Sequence, residues 1–333
     1  MAKEIRTIGV MTSGGDSQGM NACVRAVVRS ALNKGLKVKG INRGFSGLMN
    51  GEVYDMNAKS AGNIINKGGT VLYTARCPEF VDKDPAKREA AYQKATDKCK
   101  EFGIDGLVVI GGDGSWQGAQ KLSQRGINVV GVPGTIDRDI ACSEYTIGFD
   151  SAVNIALEAI LRLRDTSASH ERCSVIEVMG RHCGEIALWA GIGGGADAIL
   201  IPEDPETHDF NYILNVIKHN RACGKNHNII VVAEGVGKCT ELAKKIQEVT
   251  GIDSRATVLG HVQRGGAPTA LDIKHASMMG VYAVDLLASG ENNRVVAYRD
   301  GKYVDFDIDE ALAMQRKPSL DIAEVNRRIS TYN

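Results

Sequence analysis

Residues 106–139 constrain the fold more than any other part of the sequence, because two strand-like segments there each end in a loop with carboxylates. The apolar run 107–110 leads into GGDGS at 111–115, then a helix-like segment to about Gln124 and a second apolar run at 129–132. Parallel strands joined by a helix bring both loops to the carboxyl edge of one sheet, where ligands bind in open α/β folds. The stretch therefore predicts a parallel α/β sheet with a ligand site.

The two loops carry groups suited to binding a polyphosphate and to moving a proton. Glycines let the backbone approach phosphates closely, and the helix that follows the first loop offers free N–H groups. Asp113 would repel phosphates without an intervening cation, which favours Mg²⁺. Asp137 and Asp139 follow the second strand, so one could accept the proton of an attacking hydroxyl while the other holds the metal. We expect phosphoryl transfer, although a lone Gly-Gly-Asp-Gly is more often a simple turn.

Composition limits the partners and the compartment. The chain has 333 residues, of which 43% are hydrophobic, and its 40 basic residues balance its 40 acidic ones. This balance gives no electrostatic reason to expect a nucleic acid or a membrane surface as a partner. The eight cysteines form no Cys-x-x-Cys pair, and residues 1–6 are charged rather than apolar. We therefore expect reduced thiols, no zinc site, no export signal and a cytoplasmic protein.

The alternation of elements along the chain indicates an α/β fold in two lobes. The acidic glycine-rich loops lie within 1–148, whereas basic side chains gather later, which suggests lobes that face a cleft. The strand-like runs that alternate with amphipathic helical stretches are 5–11, 38–42, 107–110, 129–132, 174–178, 198–201, 228–233 and 257–261.

Five motifs together resemble the bacterial-type 6-phosphofructokinase family. They occur in the family's order and span nearly the whole chain: TSGGD at 12–16, GGDGS at 111–115, PGTID at 133–137, MGR at 179–181 and LGHVQRGG at 259–266. The resemblance implies two Rossmann-like lobes with mainly parallel sheets, helices on both sheet faces and an active site in the cleft. It implies an ATP- and Mg²⁺-binding lobe at 1–148 plus about 263–314, and a sugar-phosphate lobe at 149–262 plus about 315–333.

The implied activity is a glycolytic kinase reaction, in which ATP phosphorylates the 1-hydroxyl of fructose 6-phosphate to give fructose 1,6-bisphosphate and ADP. Asp137 would be the general base, Thr135 a donor to the transferring group and Arg181 a third catalytic side chain. The metal ligands would be Asp113 and Asp139. The implied nucleotide contacts are Gly15, Phe45, Arg76, Cys77, Gly112, Asp113, Gly114 and Ser115. The implied sugar-phosphate contacts are Thr135, Ile136, Asp137, Arg172, Met179, Gly180, Arg181, Glu234, Arg255, His261, Val262, Gln263 and Arg264.

Two glycines bear on the phosphoryl donor. Family members that use pyrophosphate carry Asp and Lys at the positions of Gly114 and Gly134, where those side chains fill the space of the α-phosphate. Glycine at both positions would leave that space open, which favours ATP. Phe45 resembles an aromatic residue that lies against the adenine, but a place in the hydrophobic core explains it equally well.

The resemblance also implies a homo-oligomer. In the family the residues that match Arg172 and Arg255 reach across from a neighbouring subunit, as expected of a tetramer with shared active sites. An effector site is matched only in part, because two of the family's cationic positions fall on Ala58 and Cys223. The sequence leaves open whether effector regulation survives. The matching effector positions are Arg25, Arg29, Arg164, Asp197 and Lys225.

Arg138 departs from the family, which usually has Asn between the two aspartates. A cation about 4 Å from Asp137 interacts with it by roughly 4 kcal/mol at an effective dielectric constant near 20, and would weaken the base. Alternation along an extended loop predicts that Arg138 points outward, so that Arg138→Asn changes the rate only several-fold. Ile273, after Asp272, stands where the family has Arg, and the sequence offers no physical account of it.

Two other functions remain open. Another kinase with a Gly-Gly-Asp-Gly loop, such as an NAD or lipid kinase, would not need the arginines of the second lobe. A non-catalytic regulatory subunit would bind sugar phosphate without turnover, which the retained Asp113 and Asp137 oppose. The P-loop and protein-kinase folds are excluded, because the sequence has neither a G-x-x-x-x-G-K-[ST] motif nor the protein-kinase catalytic loop.

Overall fold

The computed structural model describes residues 5–330, and within them eleven strands alternate with eleven α-helices. The strands are β1 (Thr7–Thr12), β2 (Lys37–Ile41), β3 (Val53–Met56), β4 (Gly106–Gly111), β5 (Asn128–Pro133), β6 (Cys173–Val178), β7 (Ala198–Leu200), β8 (Asn228–Ala233), β9 (Ser254–Val258), β10 (Arg294–Arg299) and β11 (Lys302–Asp307). The helices are α1 (Met20–Asn33), α2 (Gly44–Met49), α3 (Pro85–Glu101), α4 (Asp113–Ser123), α5 (Phe149–His170), α6 (Glu185–Gly193), α7 (Phe210–Ala222), α8 (Cys239–Thr250), α9 (Ala270–Ala288), α10 (Ile308–Ala313) and α11 (Leu320–Ser330).

The first compact unit runs to Ile136 and also contains Ile140–Asp150 and Arg264–Arg316. Its seven-stranded sheet has the order β11-β10-β5-β4-β1-β2-β3, and its pairs are parallel except β2 with β3 and β10 with β11. Alternate residues of β4 enter opposite cores, as the two-residue period of a strand requires. Val108 and Ile110 join the core that includes α1 and α9, whereas Leu107 and Val109 join the core that includes α2, α3 and α4. Helices therefore cover both faces.

The second unit comprises Asp137–Asp139, Ser151–Gln263 and the chain from Lys317 onward. Its four strands are all parallel, in the order β7-β8-β6-β9. Ile213 of α7 and Ile246 of α8 pack with Val175 and Ile230 on one face of this sheet. On the other face Gly191 of α6 lies so close to Ile199 that an added β-carbon would be 2.6 Å from it. Both units thus confirm the predicted α/β class with mainly parallel sheets.

Three parts of the sequence prediction differ from the structure, and the first is the edge strand β3, which was not predicted. The strand predicted at 257–261 is β9, which ends at Val258, and a 3₁₀ helix follows at Gly260–Arg264 because Gly260 has a φ of 53°. The hairpin of β10 and β11 was missed, although its two-residue Asp300-Gly301 turn, with φ of 50° and 76°, is a strong hairpin signal. Residues 331–333 of the predicted sugar-phosphate lobe lie outside the described part of the chain.

None of the helices in residues 5–330 combines the length and the apolar character needed to cross a lipid bilayer.

Asp272 ties the start of α9 to the segment before α5. Its side chain is fully buried and accepts hydrogen bonds from the Tyr145 hydroxyl at 2.6 Å and from the Gly148 N–H at 2.7 Å. Ile273, which the sequence left unexplained, is partly buried against the core that includes α1 and α9.

His275 lies one turn further along α9 at the centre of an aromatic cluster. It is 3% exposed, stacks on Tyr145 with 4.0 Å between centroids and meets Tyr298 edge-on at 4.6 Å. Its Nδ1 is 3.0 Å from the Tyr303 hydroxyl. Burial first, and the nearby charge of Lys274 second, lower the pKa of His275 from 6.5 to about 4, against a smaller opposing effect of Asp150. The folded protein therefore holds this imidazole neutral.

We predict that His275 makes the protein lose stability as the pH falls from 6.5 towards 4. The unfolded chain binds the proton first, so the stabilisation is complete above pH 6.5 and declines by about 2 kcal/mol towards pH 4. His275→Phe keeps a ring in the stack but cannot titrate, so its free energy of unfolding should depend less steeply on pH. Urea titrations at several pH values measure this slope. His275→Asn serves as a second non-titrating control, and equal slopes in all three proteins would contradict the prediction.

Candidate active site

The strand order of the first unit reverses between β1 and β4. From β1 the chain continues to β2 on one side, whereas from β4 it continues to β5 on the other. Ligands of doubly wound sheets bind beyond the carboxyl ends of the strands at such a point. The turns at 12–16 and 111–115 flank it, and the Ser13 N–H donates to the carbonyl oxygen of Ile110 at 2.9 Å. The sequence thus folds both glycine-rich turns to one place.

The two turns are in close backbone contact. A β-carbon on Gly111 would lie 2.5 Å from the Ser13 carbonyl oxygen, so only glycine fits there without displacement. A β-carbon on Gly15 would lie 2.8 Å from Nη1 of Arg264. That guanidinium donates to the Asp16 carbonyl oxygen at 2.7 Å, so the structure places Arg264 in the first unit, beside the first turn.

The start of α4 offers an open anion site. Gly112 is the N-cap, so no side chain caps the helix, and both Asp113 and Gly114 are exposed. A β-carbon on Gly114 would meet nothing within 4 Å, while Ser115 is 7% exposed. Free N–H groups and the helix dipole favour a phosphate here, and Asp113 could hold a hard cation against it.

Two expectations for the nucleotide site fit the structure less well. Gly134 is buried, and a β-carbon there would lie 3.0 Å from both Ile110 and Met20, so the space beside it is not open as the donor argument assumed. Phe45 is 3% exposed and its ring packs 4.7 Å from that of Phe80. Core packing accounts for this ring, and its contact with an adenine stays a prediction.

The segment before the 3₁₀ helix at Pro78–Val81 is tied to the first turn. The Thr12 hydroxyl donates to the Tyr73 carbonyl oxygen at 2.8 Å, and the Thr74 hydroxyl donates to that of Gly14 at 2.7 Å. Arg76 follows with an exposed side chain. Cys77 is partly buried, and burial raises the pKa of its thiol to about 12, so it is a neutral group at physiological pH.

The segment after β5 passes from the first unit into the second. Thr135 is partly exposed, Ile136 is fully buried, and Asp137 is 3% exposed, whereas Asp139 is partly exposed. Asp137 to Asp139 belong to the second unit although the residues on both sides belong to the first.

The premise that Arg138 lies in an extended loop, from which an outward direction was predicted, is wrong. Arg138 has a φ of 51°, so the segment is not extended at this residue and strict alternation fails. Its Nη1 donates to Oε2 of Glu185 at 2.8 Å, and its guanidinium lies 5.0 Å from the ring centroid of Trp189. Glu185 is 1% exposed. Sequence reasoning missed both partners because they lie about fifty positions away and no local motif marks them.

In the second unit, three neighbouring strands end beside one another with the predicted sugar contacts. Met179, Gly180 and Arg181 follow β6, Glu234 follows β8, and the 3₁₀ helix with His261 follows β9. Oε1 of Glu234 accepts from the N–H of Gly180 at 3.1 Å and of Arg181 at 2.6 Å. This bond fixes a turn in which both residues have positive φ.

Exposure differs among these residues. Met179 is 8% exposed and Gln263 is fully buried. Val262 is 62% exposed, and Arg181 and His261 are also exposed. The side chains that are free to meet a ligand at this edge are therefore a mixed basic and apolar set.

Arg172 and Arg255 lie at the other end of the same sheet. Arg172 precedes β6 and Arg255 is the second residue of β9, so both are at the amino ends of parallel strands. Both pair with Asp253, through Oδ2 at 2.6 Å and Oδ1 at 3.0 Å. A strand rises about 3.3 Å per residue, so these arginines are more than about 10 Å from the His261 edge along the sheet. The structure does not bring them together with His261 in one chain.

The matched effector positions are largely committed to internal contacts. Asp197 and Lys225 form a buried ion pair, and Asp197 also accepts from Asn220 at 2.8 Å. Arg164 donates to the Gly194 carbonyl oxygen at 2.8 Å. Arg25 is partly exposed and Arg29 is exposed on α1 of the first unit.

Metal binding by protein side chains alone has no support in residues 5–330, where no three His, Cys, Asp or Glu side chains come together. An exposed carboxylate such as Asp113 suits Mg²⁺, which takes one or two carboxylates and completes its shell with phosphate oxygens and water. All eight cysteines are free thiols.

We predict opposite effects of adding one methyl group at two neighbouring glycines. Gly111→Ala should lower the free energy of unfolding by about 1–3 kcal/mol, because its β-carbon would overlap the Ser13 carbonyl oxygen. Gly114→Ala should be neutral or stabilising by up to about 1 kcal/mol, because it lies in open space on a helix. Urea denaturation of both variants measures the difference, and equal losses would contradict the close approach of the turns.

The chain is similar over nearly its whole length to curated bacterial proteins. It is 55% identical to an ATP-dependent 6-phosphofructokinase of Clostridium acetobutylicum over 326 residues, which cover 98% of this chain and 100% of that protein. It is also 55% identical to a protein of the same name from Clostridium botulinum, over 96% of this chain and 98% of the relative.

Solved structures and a family model agree with this similarity. Phosphofructokinase from Saccharomyces cerevisiae matches with a TM-score of 0.86 and 33% identity, over 92% of this chain and 44% of that one. The Pichia pastoris phosphofructokinase in the T-state matches with a TM-score of 0.87 and 34% identity, over 98% and 40%. This chain thus spans less than half of those two chains. The phosphofructokinase family model matches residues 7–287, and the chain belongs to the phosphofructokinase family.

Proposed function

We propose that this protein is an ATP-dependent 6-phosphofructokinase, a glycolytic kinase that converts fructose 6-phosphate and ATP to fructose 1,6-bisphosphate and ADP. The observation that carries the proposal is the pair of glycine-rich turns at the β1/β4 switch point, with an uncapped helix and exposed Asp113 beside them. The family membership and the names of the full-length relatives agree with it.

The first unit would bind the nucleotide. Backbone N–H groups at the start of α4 and the guanidinium of Arg76 would hold phosphate oxygens, with Gly15 next to the triphosphate. Asp113 would hold Mg²⁺, which when bound neutralises charge on the phosphates. Asp139, which belongs to the second unit, stays the other predicted metal ligand. The open space beside Gly114 supports ATP as donor. Gly134 gives no such support, because the space beside it is filled by Ile110 and Met20.

Asp137 would act as the general base. One carboxylate oxygen of Asp137 would accept the proton of the sugar 1-hydroxyl. At the same time the hydroxyl oxygen attacks the γ-phosphorus, and the bond from phosphorus to the ADP oxygen breaks in line. Thr135 would donate a hydrogen bond to the transferring group. Burial of Asp137 supports this role, because it limits competition from water for the carboxylate.

The second unit would bind fructose 6-phosphate. Arg181 and Glu234 would hydrogen-bond the sugar and His261 would bind the 6-phosphate. Arg264, three residues after His261, belongs to the first unit and stays a predicted phosphate contact. Arg172 and Arg255 would serve the 6-phosphate site of a neighbouring subunit. Their distance from the His261 edge within one chain supports a shared site, and hence a homo-oligomer that we take to be a tetramer. Eight free thiols fit a reducing cytoplasm.

The proposed base predicts a loss of turnover without loss of nucleotide binding. Asp137→Asn should lower kcat by roughly 10²- to 10⁴-fold, because it removes the proton acceptor and keeps the shape of the side chain. The KM for ATP should change by less than about threefold. A coupled assay for ADP gives both parameters. A kcat within tenfold of the parent protein would contradict the assignment of Asp137.

The proposed donor is tested by comparing ATP with pyrophosphate. With Mg²⁺ and fructose 6-phosphate, the purified protein should form product with ATP and not with pyrophosphate. Gly114→Asp should lower kcat/KM for ATP by about tenfold or more, because a carboxylate would face the phosphates. Gly114→Ala adds volume without charge, so its kcat/KM for ATP should fall less than that of Gly114→Asp. Turnover with pyrophosphate alone would refute the donor, and silence with both would favour a regulatory subunit.

A further inference from the structure

The proposed base Asp137 and the two residues after it belong to the second unit, whereas the chain on both sides of them belongs to the first. Asp137–Asp139 are part of the second unit, whereas Ile136 and Ile140 are part of the first. A segment of three residues has no core of its own, so its contacts with the rest of the second unit are informative.

Arg138 makes such contacts, in what we call the Arg138 clamp: Arg138, Glu185 and Trp189. The guanidinium donates to Oε2 of Glu185 at 2.8 Å and lies over the Trp189 ring, 5.0 Å from its centroid. Glu185 is the first residue of α6, where the helix dipole also favours a carboxylate. It is 1% exposed, so the pair is shielded from water and salt on that side.

The backbone of Arg138 supports this interpretation. Its φ of 51° lies in the left-handed region, which is unfavourable for a residue with a side chain and persists only where surrounding contacts impose it. The Cys183 thiol adds a contact, since its Sγ is 3.8 Å from the Arg138 carbonyl oxygen. Both the side chain and the backbone of Arg138 are therefore tied to the start of α6 and the turn before it.

We propose that the Arg138 clamp positions Asp137 for proton transfer, which makes Arg138 a positioning residue of the reaction. This rests on the proposed function, and it names a role for a residue at which the family usually has Asn. The clamp joins the base to the unit that carries Arg181 and Glu234. The second unit would then hold both the base and the acceptor hydroxyl, in the fixed geometry that efficient proton transfer requires.

The guanidinium of Arg138 is paired with the buried Glu185 carboxylate. A positioning role and a suppressing role predict opposite changes in rate when the charge is removed.

The test uses the full-length protein and four variants. Arg138→Asn alone would leave Glu185 buried without its cation and could unfold the protein, so Arg138→Asn/Glu185→Gln removes both charges together. Arg138→Lys is the conservative variant, which keeps the charge and loses the planar group over Trp189. Glu185→Gln removes the acceptor charge alone. Arg327→Asn is the matched control, because it breaks another ion pair of the second unit, with Asp204 at 2.9 Å.

Steady-state kinetics separate the outcomes. We expect the double variant to lose about tenfold or more in kcat, with the KM for ATP changed by less than about twofold. The kcat of Glu185→Gln should fall less than that of the double variant. Arg138→Lys should keep most of the parent kcat, and Arg327→Asn should match the parent protein. A kcat loss no larger than that of Arg327→Asn would show a merely structural role and overturn the proposal. An increase in kcat would show that Arg138 suppresses the base and would also overturn it.

A second measurement does not depend on turnover. Amide hydrogen exchange of the peptide that covers 136–141 should be about tenfold faster in the double variant than in the parent protein or in Arg327→Asn. Unchanged exchange would refute the clamp. An inactive parent protein would refute the proposed function instead, so the two ideas fail separately.

Discussion

The contact between the turns after β1 and β4 is the constraint on which the first unit depends. The two strands are adjacent and parallel, and the chain leaves them in opposite directions, so their carboxyl ends open a crevice that no crossing helix covers. Gly111 lets the backbone of one turn come against Ser13 of the other. Two separate motifs thereby meet at one place, where we propose that the polyphosphate binds.

Much of this could be predicted from the sequence, because the signals are local. Apolar β-branched runs ended by glycine and aspartate give the strand, the turn and the helix start within a few residues. The resemblance supplied the long-range order of the motifs. The α/β class and the mainly parallel sheets are confirmed, while the roles of individual side chains stay predictions.

The features that the sequence did not predict depend on contacts between residues distant in the chain or on a single backbone angle. Arg138 could not be placed, because its left-handed φ and its contact with Glu185 leave no trace in the neighbouring sequence. The end of β9 was missed because Gly260 turns the chain after Val258. Phe45 shows a third kind of failure, since an aromatic motif does not reveal whether its ring faces a ligand or the core.

The pairing of Arg138 with a fully buried Glu185 also restricts how this sequence can change over time. Loss of the arginine alone removes the cation from a buried carboxylate, whereas loss of the glutamate first leaves an arginine that is still partly exposed to solvent. The two positions are therefore strongly epistatic. A lineage that replaces Arg138 with asparagine is expected to pass through a neutral residue at 185, and the order of the two steps is set by which charge water can still reach.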